Sequence, residues 1–175
     1  HNIQASLIFC SRFALSLHYC NKTLYNMTTQ AYTNEAVTLL AHLIATPSVS
    51  RDERRAADII QEALTRYGFI PQREANNVWA IGHHYNEARP TLLLNAHLDT
   101  VKPVSTYTRN PYEPSLEKGI LYGLGSNDCG GGLVSLLQVF RILDSSNTCP
   151  YNLVYLASAE EEVSGKDGIS RALPL

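Results

Sequence analysis

Two short apolar runs separated by a helical pattern constrain the fold of this chain most. Residues 91–96 and 151–157 consist mainly of apolar side chains, and such runs are typical of strands buried on both faces of a sheet. Between them, residues 133–143 repeat leucine and phenylalanine at helical spacing. Because strand–helix–strand connections are right-handed, the two strands should be parallel neighbours in one sheet. The sequence therefore predicts an α/β fold in which the loops after both strands meet at one sheet edge, where ligands bind.

Two helical patterns precede the first run. Residues 36–44 place apolar side chains on one face, and Thr46, which stands before a proline, ends that helix. Ser50 and Glu53 form an S-x-x-E pattern, which predicts a capping box at the start of a second helix. Gly68 stands where this second helix should end, because a left-handed residue is favoured there.

A further strand and a hairpin are predicted on either side of the first apolar run. Residues 77–81 have the composition of a strand, and residues 117–122 that of a hairpin. His83 and His84 follow the strand in a polar loop. Side by side in such a loop, they are interpreted as solvated side chains rather than as metal ligands.

The composition excludes several classes of protein. Fourteen basic and 16 acidic residues give a net charge of -2, which leaves no basic excess for nucleic-acid phosphates, so no nucleic-acid partner is expected. With 45% apolar and 17% charged residues, the chain is globular rather than disordered. Its four cysteines, Cys10, Cys20, Cys129 and Cys149, show no CxxC spacing, which favours a reduced, cytoplasmic protein.

The N-terminal residues differ from the remainder of the chain. The only methionine is Met27, and we interpret residues 1–26 as a non-native or non-functional extension and residues 27–175 as the folded unit. A targeting segment is the alternative. Against it, Arg12 interrupts the apolar run 7–17, and no lysine or arginine precedes that run. The interrupted run is also a poor membrane span, so no membrane association is expected.

One histidine and several acidic side chains lie at three points of this pattern: after the first predicted strand, just before the crossover helix, and after the second predicted strand. They are His97, Asp99, Asp128, Glu160, Glu161 and Glu162. Singly, each has an ordinary explanation as a core histidine, a helix cap or a solvated acidic surface. Because the topology brings them to one sheet edge, they predict a site for a divalent ion such as zinc, cobalt or manganese. Asp128 has two carboxylate oxygens and could bridge two ions about 3.5–4 Å apart.

Other chemistries fit the sequence less well. Cys129 lies beside Asp128, but no histidine is paired with it in sequence as a base for a thiol nucleophile. Gly123 and Gly125 are followed by Asp128 where a dinucleotide fingerprint needs glycine. A non-catalytic binding module is the remaining alternative, although the intact acidic triplet argues against it.

Three segments resemble the successive signatures of a known family. They are NAHLDTV at 95–101, LYGLGSNDCGG at 121–131 and AEEEVSG at 159–165. In order and spacing they are similar to the co-catalytic metallopeptidases and deacylases of the M20 type, and the resemblance covers residues 27–175. It implies a three-layer α/β sandwich with a mixed, mainly parallel sheet. It also implies an amide hydrolase that uses two divalent ions, zinc or cobalt.

Within that family, the sequence looks nearest to the acetylornithine deacetylase branch. The patterns at 100–104 and 126–130 carry this likeness. It implies a small N-acyl amino acid substrate and a place in arginine biosynthesis. Succinyl-diaminopimelate desuccinylases and dipeptidases or carboxypeptidases are the alternatives.

The resemblance also implies a role for each candidate residue. His97 would ligate one ion, Glu162 the other, and Asp128 would bridge both. Asp99 would orient His97, and Glu161 would act as general acid and base. These roles suit the residue types, because a histidine ligand is commonly fixed by a carboxylate and amide hydrolysis needs a group that transfers a proton.

The chain departs from the family pattern at several positions. Glu160 stands where the family usually has aspartate, and Cys129 and Gly130 stand where many members have methionine and lysine. The remaining metal ligands, and an inserted lid or dimerisation domain through which the parent would form a homodimer, would lie beyond residue 175. We therefore expect the isolated chain to bind metal weakly and to hydrolyse little.

Overall fold

Four α-helices and six strands form the described part of the computed structural model, which comprises residues 22–146 and 148–173. The helices are α1 (Lys22–Ile44), α2 (Arg54–Arg66), α3 (Gly131–Ser145) and α4 (Ile169–Ala172). The strands are β1 (Gln72–Glu74), β2 (Asn77–Ile81), β3 (Thr91–His97), β4 (Ser115–Glu117), β5 (Ile120–Tyr122) and β6 (Asn152–Ser158). Short helical turns at Ser126–Gly130 and Glu161–Val163 lie in the loops that follow β5 and β6.

The predicted strand, crossover helix and strand are confirmed as β3, α3 and β6. Strands β3 and β6 pair in parallel, with Thr91 opposite Asn152 and His97 opposite Ser158. The two strands therefore end side by side, and the loops that leave them start at the same edge of the sheet.

The sheet is mixed, with the order β1-β2-β6-β3, which confirms the α/β class. Strands β1 and β2, and β2 and β6, pair antiparallel, while β4 and β5 form the predicted hairpin separately. The prediction that residues 91–96 are buried on both faces is wrong, because β3 lies at the edge of the described sheet and Leu93 is 38% exposed. Leu92 and Leu94 point to the opposite face and pack against the core.

The main core joins α1, α2 and α3 to one face of the sheet. Leu40, Ile60 and Phe140 bring these helices against Tyr155 of β6 in a single buried cluster. Helix α1 ends at Ile44, as predicted. Helix α2 ends in the predicted glycine motif, in which the N–H groups of residues 68 and 69 donate to the carbonyls of residues 65 and 64.

The capping box predicted for α2 is wrong. Helix α2 begins at Arg54, and the side chain of Glu53 makes no capping hydrogen bond. Instead, the Ser50 hydroxyl donates to Asp99 Oδ2 over 2.7 Å, and the Glu53 carboxylate accepts the backbone N–H of Arg51 over 2.6 Å. Both members of the pattern are used in contacts outside the helix.

The N-terminal extension and the cysteines are only partly within the described residues. Helix α1 begins at Lys22 and crosses the predicted boundary after residue 26, whereas residues 1–21, with Cys10 and Cys20, lie outside the described residues. Cys129 and Cys149 are free thiols. None of the helices in the described residues combines the length and hydrophobicity that crossing a bilayer requires.

His83 is exposed to solvent, as predicted, but it is also bound to Asp144, a contact that the sequence did not indicate. Its Nδ1 lies 2.6 Å from Asp144 Oδ2, and its backbone N–H donates to Asp144 Oδ1 over 2.7 Å. Its ring stacks on Phe69, with the centroids 4.8 Å apart. Gly82 permits this approach, because a Cβ atom there would lie 2.6 Å from Asp144 Oδ1. His84 is exposed as well.

This pair predicts a pH-dependent contribution to stability. The hydrogen bond that His83 donates to Asp144 raises the pKa of His83 above its ordinary value of 6.5. The contribution is therefore complete below the unfolded-state pKa and is lost as pH rises through the folded-state pKa. Because 53% of the His83 side chain is exposed, we expect no more than about 1 kcal/mol. Urea midpoints of wild type and H83Q should differ most near pH 5.5, below the unfolded-state pKa, and should converge as pH rises through the folded-state pKa. H84Q is the control, and a pH-independent difference for H83Q would contradict the prediction.

Candidate metal centre

Three predicted metal ligands converge at the carboxyl edge of β3 and β6. His97 ends β3, Asp128 lies in the loop before α3, and Glu162 lies in the loop after β6. One ligand atom from each lies within 4.8 Å of the others. His97 Nε2 is 3.1 Å from Asp128 Oδ1 and 3.8 Å from Oε2 of Glu161. The parallel pair thus brings together side chains that are far apart in sequence.

His97 is buried, and its ring orientation is set by Asp99. Nδ1 lies 3.0 Å from the backbone carbonyl of Asp99 and 3.5 Å from its carboxylate Oδ1. A carbonyl oxygen can only accept, so we assign the proton of this hydrogen bond to Nδ1. In the neutral ring Nε2 then carries the lone pair, which faces Asp128. The residue predicted to orient His97 contacts it chiefly through its main chain.

The carboxylate of Asp99 is a buried acceptor that joins three segments. Oδ1 accepts the backbone N–H of Glu161 over 3.0 Å, and Oδ2 accepts the N–H of Glu162 over 3.2 Å and the Ser50 hydroxyl over 2.7 Å. Burial raises the pKa of Asp99, but its contacts with His97, Ser50 and the two amides lower that pKa overall, to about 2. Asp99 is therefore ionised at neutral pH.

The charges of the site favour a bound cation. Burial and the neighbouring charge of Asp128 raise the pKa of Glu162. Burial lowers the pKa of His97, but hydrogen bonds with Asp99 and Asp128 outweigh it and raise the pKa to about 9. Several carboxylates thus surround one imidazole whose positive charge they stabilise. A divalent cation would satisfy the same carboxylates, and one nitrogen with carboxylate oxygens is a donor set that suits zinc, cobalt or manganese.

Two neighbours of the ligands do not join them. Glu160 is buried away from the ligand cluster, and its Oε2 accepts the backbone N–H of Asp167 over 3.4 Å. Burial raises the pKa of the Cys129 thiol, which disfavours the nucleophilic thiolate at neutral pH. Glu161 is more accessible, with 59% of its side chain exposed beside His97.

Sequence reasoning missed Ser50, Glu53 and Asn77 as parts of this site. Ser50 is held there because residues 48 and 50 exchange backbone hydrogen bonds with Thr100. Glu53 accepts the backbone N–H of Glu160 over 3.2 Å, and Asn77 Oδ1 accepts that of residue 159 over 3.0 Å. The S-x-x-E pattern draws attention to Ser50 and Glu53. It was interpreted as a local helix cap, so their contacts with residues distant in sequence were not predicted.

A family model matches the segment of the chain that holds the site. Residues 93–174 match the model described as Peptidase family M20/M25/M40. All five residues that were predicted as catalytic or metal-ligating lie within this segment.

The curated relatives include succinyl-diaminopimelate desuccinylases. That of Xylella fastidiosa (strain M23) is 30% identical over 145 residues, which are 79% of this chain and 38% of the relative. That of Anaplasma marginale (strain Florida) is 28% identical over 137 residues, 74% of this chain and 34% of the relative. The chain thus spans little more than a third of the length of these relatives. They correspond to an alternative of the sequence analysis rather than to the acetylornithine branch.

Solved structures share the fold. An M20 family metallo-carboxypeptidase from Sulfolobus solfataricus superposes with a TM-score of 0.61 at 23% identity, over 74% of this chain and 31% of that chain. Human carnosine dipeptidase 1 superposes with a TM-score of 0.62 at 18% identity, over 84% of this chain and 36% of that chain. The YXEP protein of Bacillus subtilis is described as a dinuclear metal binding peptidase. It superposes with a TM-score of 0.61 at 17% identity, over 83% of this chain and 40% of that chain. These likenesses support the α/β assignment.

Proposed function

We propose that the chain, whose residues 93–174 match the model of peptidase family M20/M25/M40, forms part of a metal-dependent amide hydrolase that removes an N-acyl group from an amino acid. The observation that carries this proposal is the convergence of His97, Asp128 and Glu162 within 4.8 Å, with Glu161 beside them.

His97, Asp128 and Glu162 would hold the metal, for which zinc or cobalt is proposed. Asp128 is the candidate to contact two ions, because its carboxylate has two oxygens and its side chain is 78% exposed. Bound divalent ions polarise a carbonyl oxygen and lower the pKa of water. Asp99 keeps Nδ1 of His97 protonated, so that Nε2 is available as a ligand.

Glu161 is the proposed general acid and base. Its Oε2 is 3.8 Å from Nε2 of His97, while its backbone N–H is fixed by Asp99. The carboxylate therefore stands beside the proposed ligands on a fixed main chain and is open to a substrate. From there it can take a proton from the attacking water and pass it to the leaving amine.

The proposed substrate is an N-succinyl amino acid of the N-succinyl-diaminopimelate type. The curated relatives at 28–30% identity carry the desuccinylase name, whereas the patterns at 100–104 and 126–130 favoured an N-acetyl substrate. Both substrates present an amide to the same ligands, so the acyl group is decided by residues that line the acyl pocket.

A substrate panel tests this proposal. The protein, expressed with whatever coding sequence flanks residues 1–175 and loaded with zinc or cobalt, should release amine from N-succinyl-diaminopimelate faster than from N-acetylornithine or a dipeptide. Amine release is measured with o-phthalaldehyde, and the metal-free protein is the control. Faster hydrolysis of N-acetylornithine would contradict the N-succinyl proposal and favour an acetylornithine deacetylase. Metal binding without hydrolysis of any amide would favour the non-catalytic module.

A further inference from the structure

Every backbone amide of the acidic loop, which we define as residues 159–162, donates to a side chain from another part of the chain. The amides of Ala159, Glu160, Glu161 and Glu162 donate to Asn77 Oδ1, Glu53 Oε1, Asp99 Oδ1 and Asp99 Oδ2, over 3.0, 3.2, 3.0 and 3.2 Å. The acceptors come from β2, from the residue before α2 and from the loop after β3. The main chain of the acidic loop is therefore fixed by three separate elements.

Glu53 is the acceptor whose contacts are least expected. It is fully buried, and a buried carboxylate is costly unless donors surround it. Oε1 accepts the N–H groups of Arg51 and Glu160, and Oε2 accepts Nδ2 of Asn76 over 2.9 Å. Its capping function at α2 is absent. Its hydrogen bonds instead join the start of α2 to a loop 107 residues away.

The backbone at Glu160 needs such a contact. Its φ of 54° lies in the left-handed region, which a residue with a Cβ atom rarely adopts unless its surroundings hold it there. The reversal at this residue turns the chain after β6, and Glu161 and Glu162 follow directly. A shift at Glu160 would therefore move both side chains relative to His97.

We propose that Glu53 is a positioning residue of the metal centre, which holds the N–H of Glu160 and thereby sets where Glu161 and Glu162 stand. This inference rests on the proposed function for the roles of those two glutamates. Glu53 touches neither substrate nor metal ligand side chains in this assignment, and it acts through the main chain of the acidic loop.

The variants E53A, E53D and E53Q separate this role from general stability. E53A removes the carboxylate acceptor. E53D shortens the side chain by one methylene and so moves the carboxylate away from the amide of Glu160. E53Q keeps an oxygen for the amides of Arg51 and Glu160 and gives up only the contact with Asn76. N152A is the matched control, because Asn152 is equally a buried polar side chain that ties a loop to the sheet, but it lies at the opposite end of β6.

Amide hydrogen exchange of the metal-free chain is the first measurement. E53A should accelerate exchange at residues 160–162 relative to residues 153–157 of β6, whereas E53Q and N152A should not. If E53A fails to fold, E53D gives the same comparison. Unchanged exchange at residues 160–162 in the variant that folds would overturn the proposal, whether or not any metal binds.

The second measurement is a cobalt titration, followed by visible absorption, of the protein expressed with the coding sequence that flanks residues 1–175. E53A or E53D should bind Co²⁺ about 10- to 100-fold more weakly, as residues that orient ligands do when they are removed. E53Q should recover most of the affinity, and N152A should keep it. Equal affinity of wild type and E53A would overturn the positioning role. Wild-type protein that carries this flanking sequence and binds no cobalt, but shows the exchange pattern, would instead overturn the proposed function alone.

Discussion

The variant D128A is expected to lose the binding of zinc and cobalt. Asp128 is the carboxylate nearest to His97 Nε2, at 3.1 Å, and the one proposed to contact two ions. Removing residues that merely orient metal ligands already costs 10- to 100-fold in affinity, so the loss of a shared ligand should exceed about 100-fold. Isothermal titration with Zn²⁺ and absorption titration with Co²⁺ measure this loss on the protein expressed with the coding sequence that flanks residues 1–175.

Two features of Asp128 make this result interpretable. Its side chain is 78% exposed, so the variant should keep its free energy of unfolding within about 0.5 kcal/mol and remain folded for titration. E87A is the charge-matched control, because Glu87 is an exposed acidic residue in the loop that precedes β3, at the other end of the sheet. If D128A and E87A bound metal equally well, the three-residue cluster would not be the metal centre.

The arrangement of the sheet edge could be predicted because it depends on strongly patterned segments. The runs in β3 and β6 are long enough to specify strands, and α3 between them dictates a parallel pair. Once the pair is parallel, His97 and the acidic loop must leave the sheet at the same edge. The proximity of His97, Asp128 and Glu162 follows from this topology rather than from any local signal.

The parts that could not be predicted are polar side chains whose hydrogen-bond partners are distant in sequence. Ser50 and Glu53 have the spacing of a capping box, but Asp99 and the amide of Glu160 offer partners that are distant in sequence. Local spacing carries no information about those partners. The same holds for His83. Its exposed position in a polar loop could be predicted, but its contact with Asp144, at the end of α3, could not.

The burial of β3 was overestimated for a related reason. A continuous apolar run indicates how much apolar surface a strand offers, but it does not say which neighbours cover that surface. Leu92 and Leu94 meet the helices, whereas Leu93 faces the side on which the described residues contribute only α4 and a small cluster around Trp79.

The variant E161Q is expected to lower kcat for amide hydrolysis by about 10²- to 10⁴-fold while metal binding is retained. Glutamine has the shape of glutamate but cannot accept and return a proton. The backbone N–H of Glu161 keeps its hydrogen bond to Asp99, so the main chain should not move. The measurement is the kcat of the full protein on its best N-acyl substrate, beside a cobalt titration of the same preparation, with E87Q as the control.

The split between binding and turnover decides which role Glu161 has. A proton-transfer group acts mainly in the transition state, so its loss should lower kcat and kcat/KM together and leave KM nearly unchanged. A metal ligand would instead lose cobalt affinity, as D128A should. Since Oε2 of Glu161 is only 3.8 Å from His97 Nε2, geometry alone permits either role. Weak cobalt binding by E161Q would therefore indicate that Glu161 is a metal ligand. An unchanged kcat would show that Glu161 is not the general acid and base.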